Sequence, residues 1–119
     1  MKDSFAKDSF AKDMLSILSD DTSLKIIEVL DGNELSIQQI SSSLDIPLSS
    51  TYRKMGKLER LRIVKKAKII RNMDGMDESL YTKWAEEINI SYREKSFSIT
   101  IKMKPIEERI ARLWQKFKS

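Results

Sequence analysis

The feature that most restricts the fold is residues 36–64, SIQQISSSLDIPLSSTYRKMGKLERLRIV. Ser36 followed by Gln39 is a capping box, which predicts the start of a helix. Pro47 cannot continue that helix because it lacks an N–H, yet it suits the first turn of a new one. We therefore predict a helix, a tight turn and a second helix that runs from about Pro47 to about Arg60.

The second of these helices has two unlike faces. Helical spacing predicts that one face is turned to the core, and that face carries Thr51, Met55, Leu58 and Leu61. The opposite face combines hydroxyls, a phenol, a guanidinium and a glycine, and it carries Leu48, Ser49, Tyr52, Arg53 and Gly56, with Lys54 and Lys57 at its flanks. Such a mixture suits the edges of DNA bases, with cations placed for phosphates. A solvated face without a ligand is the alternative interpretation.

Charge is unevenly distributed along the chain. The net charge is only +4, but residues 47–71 carry nine Lys or Arg and one acid. Residues 21–46 and 72–91 each carry five acids and one base. Positive charge is therefore concentrated on the second helix and the strand after it, which suits a polyanion and steers its approach.

The composition excludes several classes of site. The sequence has no Cys and no His, which removes disulfides, thiolate metal ligands, Cys nucleophiles and His bases. There is no Gly-rich phosphate loop either, so we expect neither an enzyme nor a cofactor. The acidic turn of Asn72, Asp74, Asp77 and Glu78 does not match the spacing of a calcium loop, and a solvated turn is the favoured interpretation.

The N-terminal sequence predicts no membrane association. No apolar run reaches membrane-spanning length, and the start of the chain lacks the apolar core of a signal peptide. We therefore expect a cytoplasmic protein without a membrane partner. Residues 2–13 contain the tandem repeat KDSFA-KDSFA-KD, and we expect residues 1–12 to be frayed or disordered, with a first helix from near Phe10.

The rest of the chain predicts one more helix at each end of the motif and two hairpins. Asp20-Asp21-Thr22 is a cap signal for a helix that ends at Asp31-Gly32-Asn33. After Leu61 the pattern alternates, which predicts a strand with one basic face, a turn at 72–75 and a returning strand at 79–84. The cations of that face are Lys65, Lys66, Lys68 and Arg71. A second hairpin over 87–104 turns at 93–96, and Pro105 begins a last helix.

The segment DDTSLKIIEVLDGNELSIQQISSSLDIPLSSTYRKMGKLERLRIVKK, with its pattern I-P-x-S-[ST]-x-Y-R-x-x-x-x-L-E, resembles the ArsR-type winged-helix transcription regulators, especially the archaeal ones, and TrmB-like archaeal regulators. The resemblance covers residues 21–84. It implies an α+β, mainly α fold: a winged helix-turn-helix with a β-hairpin wing, here followed by a second β-hairpin and a C-terminal dimerisation helix. We expect a DNA-binding domain over 13–84 and a dimerisation part over 85–119.

The resemblance also implies a function, which is transcription regulation by a symmetric dimer that reads double-stranded DNA in the major groove. By position it assigns DNA contacts to Leu48, Ser49, Ser50, Tyr52, Arg53 and Lys57. Arg62 stands where many members have Gly, so we expect that turn to differ. Metal-sensing members use Cys and His ligands, which this chain lacks. The acidic wing tip would repel phosphate, so we do not expect it to enter the minor groove.

Two alternatives to duplex DNA remain open. A winged helix that binds protein would use the face of Leu48, Tyr52 and Gly56 as its docking surface. Single-stranded nucleic acid or RNA is a third possibility, but the chain has no regular aromatic stacking platform. The sequence leaves open whether a small-molecule effector exists.

A homodimer is predicted from the apolar stripe of the last helix, which consists of Ile106, Ile110, Leu113, Trp114 and Phe117. Left exposed, such a stripe would promote aggregation. We expect the first helix to pack beside it through Met14, Ile17 and Leu18. The alternative is that the last helix folds back over the second hairpin of its own chain.

Overall fold

A computed structural model describes residues 8–105 of the chain. The helices are α1 (Asp8–Leu18), α2 (Asp21–Val29), α3 (Ile37–Leu44) and α4 (Leu48–Arg60). The strands are β1 (Val64–Arg71), β2 (Asp77–Lys83), β3 (Ala85–Arg93) and β4 (Ser96–Met103). The predicted C-terminal helix and its stripe from Ile106 to Phe117 lie outside the described residues.

The helix-turn-helix forms as the sequence predicts. The backbone N–H of Ser36 donates to Gln39 Oε1 at 2.9 Å, and the Gln39 N–H donates to Ser36 Oγ at 3.1 Å, so the capping box is confirmed. Asp45 ends α3 in a left-handed conformation, with φ of 54°. Pro47 lies one position before the first turn of α4, and its carbonyl accepts both the N–H and the hydroxyl of Thr51.

The core holds α4 by one face. Thr51 and Leu58 are fully buried and Met55 and Leu61 nearly so, which confirms the predicted core face. The same core takes in Met14 and Ile17 of α1, together with apolar residues at the base of the second hairpin. Helices and second hairpin therefore share one hydrophobic core rather than two.

The turn after α4 contains Arg62 at a position where glycine is the usual residue. Arg62 has φ of 63°, in the left-handed region that favours glycine. The N–H of Ile63 donates to the Leu58 carbonyl and that of Arg62 to the Glu59 carbonyl, both at 3.0 Å. This pair of bonds is a Schellman motif, which satisfies the last carbonyls of the helix. The chain thus makes a glycine-type helix end without the glycine.

The wing is the antiparallel pair β1–β2. The prediction that its cations share one face is wrong, because β1 contains a β-bulge and its cations lie on both faces. Lys66 lies opposite Tyr81 and Lys68 opposite Leu80, with Ala67 as the extra residue. Tyr81 and Leu80 are neighbours on β2 and point to opposite faces, so Lys66 and Lys68 do so too. Lys65 shares the face of Lys68, and Arg71 shares the face of Lys66.

Hydrogen bonds attach the wing to the helices. Leu35 and Tyr81 exchange two backbone hydrogen bonds, of 3.0 and 2.7 Å, which join the segment before α3 to β2 through a single β-bridge. Trp84, which we predict as the end of β2, instead lies between the two hairpins. Its N–H donates to the Ile63 carbonyl at 2.8 Å and its carbonyl accepts from Lys104.

The second hairpin, β3–β4, has the turn that the sequence predicts. Glu94 and Lys95 both have positive φ, as a two-residue type I′ turn requires, and Arg93 pairs with Ser96. Its register places large apolar residues opposite each other on one face, in the pairs Ile88 with Ile101, Ile90 with Ile99 and Tyr92 with Phe97.

The first helix begins earlier than the sequence predicts. α1 starts at Asp8 and Ala11 is buried, so residues 8–12 belong to the first helix. A membrane span is not among the described helices, since none of them has the length and apolar content to cross a bilayer.

We expect the charge of Asp20 to stabilise the fold in a pH-dependent way. Its carboxylate accepts a 2.7 Å hydrogen bond from Lys54 and bonds from Ser23, and these lower the pKa of Asp20 from 3.8 to about 2. The stabilisation is therefore complete above pH 3.8 and is lost as the pH falls towards 2.

Asp20→Asn retains the helix cap and isolates the charge. We expect it to lower the free energy of unfolding at neutral pH by about 1 kcal/mol, a value reduced for screening of a partly exposed pair. Urea unfolding at neutral pH and near pH 2 checks this prediction. An equal deficit at both pH values would contradict it.

Candidate nucleic-acid interface

The outer face of α4 is exposed, as the sequence predicts for a recognition surface. Tyr52 is 54% exposed and Leu48 40% exposed. Ser49, Arg53 and Lys57 are also exposed, whereas Ser50, Lys54 and Gly56 are half-buried. The buried face fixes the rotation of the helix, so these side chains are presented outward by packing rather than by contacts of their own.

Lys54 differs from the other cations of α4 because it already has a partner. Its ammonium lies 2.7 Å from Asp20 Oδ2, and its side chain is 22% exposed. Asp20 is the N-cap of α2, so this ion pair ties the middle of α4 to the start of α2. Arg53 and Lys57 form no ion pair with any residue in the range 8–105.

Arg53 and Lys57 face a pocket at the corner between α1 and α2. We call it the corner pocket; its volume is about 320 Å³ and its lining residues are Ser16, Ile17, Ser19, Asp20, Ser23, Arg53, Lys54 and Lys57. The pocket has three cations and one carboxylate. Sequence reasoning missed its serines because they lie on α1, on α2 and in the turn between these helices, a region without a recognition motif.

Most of the cations on the wing are engaged. The Lys65 ammonium lies 5.2 Å from the centre of a Trp84 ring, a distance that allows a cation–π contact. Lys68 lies 3.4 Å from a Glu34 carboxylate oxygen and Arg71 lies 3.7 Å from one of Asp77. Only Lys66 has no such partner in the described part of the chain. The ion pairs of Lys68 and Arg71 are exposed and therefore weak, but they reduce the net charge that the wing offers.

On the other side of α4, a second pocket separates Tyr52 from the wing. We call it the wing cleft; its volume is about 470 Å³ and its lining residues are Ile37, Gln38, Tyr52, Asn72, Asp74, Met76, Asp77, Glu78, Ser79 and Tyr81. Three of these residues are acids and none is Lys or Arg. Burial raises the pKa of the Tyr81 phenol, and the nearby Glu59 and Tyr52 raise it further.

The wing also exposes apolar side chains that the sequence analysis did not single out. Met73 is fully exposed, Met76 and Ile69 are each about two-thirds exposed, and Ile70 is 39% exposed. Together with its acids, these side chains make the wing tip acidic and apolar, unlike a surface that binds phosphate.

No group of three potential metal ligands occurs within residues 8–105.

Solved structures with a similar backbone include NolR from Sinorhizobium fredii. That likeness has a TM-score of 0.53 and 16% sequence identity, and it covers 66% of this chain and 73% of that one. NolR is a winged-helix regulator. The fold of this chain is a winged helix-turn-helix. The α+β class and the two predicted hairpins are thereby confirmed.

Other likenesses are weaker. HlyU from Vibrio cholerae N16961 has a TM-score of 0.43 at 18% identity, over 97% of this chain and all of that one. The ferric uptake regulator Fur of Helicobacter pylori has 0.45 at 19% identity, over all of this chain and 86% of that one. No protein-family model and no curated protein sequence matches the chain.

We expect Lys54 and Lys57 to differ in their effect on stability although they are three residues apart on one helix. Lys54→Gln removes the ion pair that ties α4 to α2 and should lower the free energy of unfolding by about 1 kcal/mol. Lys57→Gln removes an exposed cation and should change it by less than about 0.5 kcal/mol. Chemical denaturation of both variants checks this prediction, and equal stabilities would show that the Lys54 pair contributes nothing.

Proposed function

We propose that this chain is a transcription regulator that binds double-stranded DNA with α4 in the major groove. The observation that carries the proposal is the position of α4, which the core holds by one face while polar and cationic side chains cover the other. α4 has 13 residues and is about 20 Å long, and the major groove is about 12 Å wide, enough to admit such a helix. The proposal requires no cofactor and no catalytic residue.

The proposed contacts follow the outer face of α4. Tyr52 and Arg53 read base edges together with Leu48, Ser49 and Ser50, and Lys57 contacts phosphate. Lys54 supports the interface through Asp20 more than by contact with DNA, since its ammonium is already paired. Lys65, Lys68 and Arg71 would first have to exchange their present partners, and Lys66 lies on the opposite face of the wing from Lys65 and Lys68, so the proposal assigns no essential contact to the wing cations.

The sequence resemblance supports a finer assignment to the ArsR-type regulators of archaeal kind. The similarity to NolR supports the winged-helix fold. At 16% identity it carries no information about a ligand. We propose a cytoplasmic homodimer, because one recognition helix reads only a few base pairs and a palindrome doubles them. A small-molecule effector is not part of the proposal.

The dimer interface that we propose contains fewer residues than the sequence alone predicts. Met14 and Ile17 are buried in the core of a single chain, so their side chains are not available to a partner. Leu18 is half-buried and packs against the same core. The proposed interface is the stripe of Ile106, Ile110, Leu113, Trp114 and Phe117, with Leu18 beside it.

A protein-binding winged helix is the second candidate, and exposed apolar side chains favour it. Leu48 and Tyr52 on α4, and Met73 and Met76 on the wing, are all exposed. A steep fall in affinity with salt separates the two candidates, because only phosphate contacts release condensed counterions.

Loss of Arg53 should weaken binding to a selected duplex and relax its sequence preference. Arg53→Ala should cost about 1–3 kcal/mol on the selected site, because a bidentate contact to a base edge is worth that much. Arg93→Ala, an exposed arginine of the second hairpin, is the matched control and should bind as the wild type does. Titration of both variants with selected and unrelated duplexes makes the measurement. Unchanged binding by Arg53→Ala would remove α4 from the reading role.

A charge in the terminal stripe should dissociate the dimer without unfolding the chain. Leu113→Glu places a carboxylate where the proposed interface is apolar, and burying such a charge without a partner is costly. Analytical ultracentrifugation should show a dimer for the wild type and a monomer for the variant at micromolar concentration. Lys118→Glu, at the end of the chain and off the stripe, is the control. A monomeric wild type, or a variant that stays dimeric, would contradict the proposed interface.

A further inference from the structure

The corner pocket lies on the side of α4 that faces away from the wing cleft. We infer that the corner pocket holds a phosphate of the DNA backbone and that the backbone keeps clear of the wing. This inference rests on the proposed function, since it assigns the path of the backbone on the same interface. It adds Ser16 of α1, a residue outside the helix-turn-helix and the wing.

The charges of the corner pocket leave a surplus for an anion. Asp20 and Lys54 neutralise each other at 2.7 Å, and the remaining cations are Arg53 and Lys57. Both are exposed and make no ion pair within residues 8–105, so neither has to leave a partner to meet a phosphate. A phosphodiester carries one negative charge, which this surplus more than offsets.

Some hydrogen-bonding groups of the corner pocket are already bonded within the fold, and others are exposed to solvent. The Asp20 carboxylate accepts from the N–H of Ser23 at 3.0 Å and from its hydroxyl at 2.6 Å, so the first turn of α2 is already capped. The Ser19 hydroxyl donates to the Ser16 carbonyl at 3.0 Å. The Ser16 hydroxyl is exposed and makes no hydrogen bond within the described residues, so it can donate to a phosphate oxygen.

The wing cleft has the opposite character. Asp74, Asp77 and Glu78 line it without a single cation among the lining residues, and Arg71 approaches Asp77 only to 3.7 Å. A phosphate placed there would meet carboxylates at short range, and such like-charge contacts are unfavourable. Since α4 has an anion-attracting side and an anion-repelling side, the backbone that flanks the groove is held over the α1–α2 corner.

This path gives the wing a reduced role. Lys65, Lys68 and Arg71 have partners on the wing or beside it, and the bulge at Ala67 places Lys68 on the face of Lys65, opposite to the face of Lys66. The wing cations therefore contribute less to the salt dependence of binding than Lys57 does. For duplex DNA each phosphate contact contributes about 0.9 to the slope of log affinity against log salt.

Two variants of the full-length chain test the corner pocket. Ser16→Asp introduces a carboxylate into the pocket that Lys57 also lines and should lower affinity about tenfold for every duplex alike, as loss of a phosphate contact does. Lys57→Gln should reduce the salt slope by about 0.9. Ser98→Asp, an exposed serine of β4, controls for added charge, and circular dichroism establishes that each variant is folded. Lys66→Gln on the wing should leave the slope nearly unchanged.

Replacement of single charged phosphates of the duplex by uncharged methylphosphonates locates the phosphate that the corner pocket contacts. Methylphosphonates are introduced one at a time in the selected duplex, and one position per half-site should weaken binding to the wild type but not weaken it further for Lys57→Gln. Wild-type affinity for Ser16→Asp and a wild-type slope for Lys57→Gln, with a reduced slope for Lys66→Gln, would overturn the inference and leave DNA binding intact. Absence of binding to any duplex would remove the proposed function and this inference with it.

Discussion

Burial of one face of α4 is the constraint on which the rest of the structure depends. Met55 and Leu58 are completely or almost completely removed from water, and full burial of each is worth about 1.5–3 kcal/mol. Thr51 is buried as well, and its hydroxyl is satisfied by the Pro47 carbonyl at 2.9 Å. Rotation of α4 would expose these groups, so the outward direction of Tyr52 and Arg53 is fixed by the core.

The same helix separates two electrostatic environments. On one side Arg53 and Lys57 border the corner pocket, where Asp20 and Lys54 cancel each other. On the other side Tyr52 borders the acidic wing cleft. A polyanion that docks on α4 is therefore attracted from one side and repelled from the other, which gives the interface a direction along with an affinity.

Local sequence patterns were sufficient to predict the helix-turn-helix, the second hairpin and the buried and exposed faces of α4. The capping box at Ser36, the break at Pro47 and the spacing of Thr51, Met55 and Leu58 each involve residues close in the chain, and each appears in the structure. The two-residue turn at Glu94 is local in the same sense. Such signals act over a few residues and need no knowledge of the tertiary fold.

The features that the sequence did not reveal depend on distant or single residues. Asp20 and Lys54 are 34 residues apart, and only the tertiary fold brings the N-cap of α2 to α4. The bulge at Ala67 is one extra residue in an alternating run, which leaves no signal of its own. The corner pocket needs α1, α2 and α4 at once, so no motif on one of them predicts it.

Chemical-shift mapping of the amide groups with a short selected duplex tests the central claim most directly. We expect the largest changes on the exposed face of α4, around Ser49 to Lys57, and at the α1–α2 corner around Ser16, with small changes at the wing tip. Large changes confined to the wing or to the second hairpin, or no changes with any duplex, would contradict the claim that α4 is the DNA-reading element.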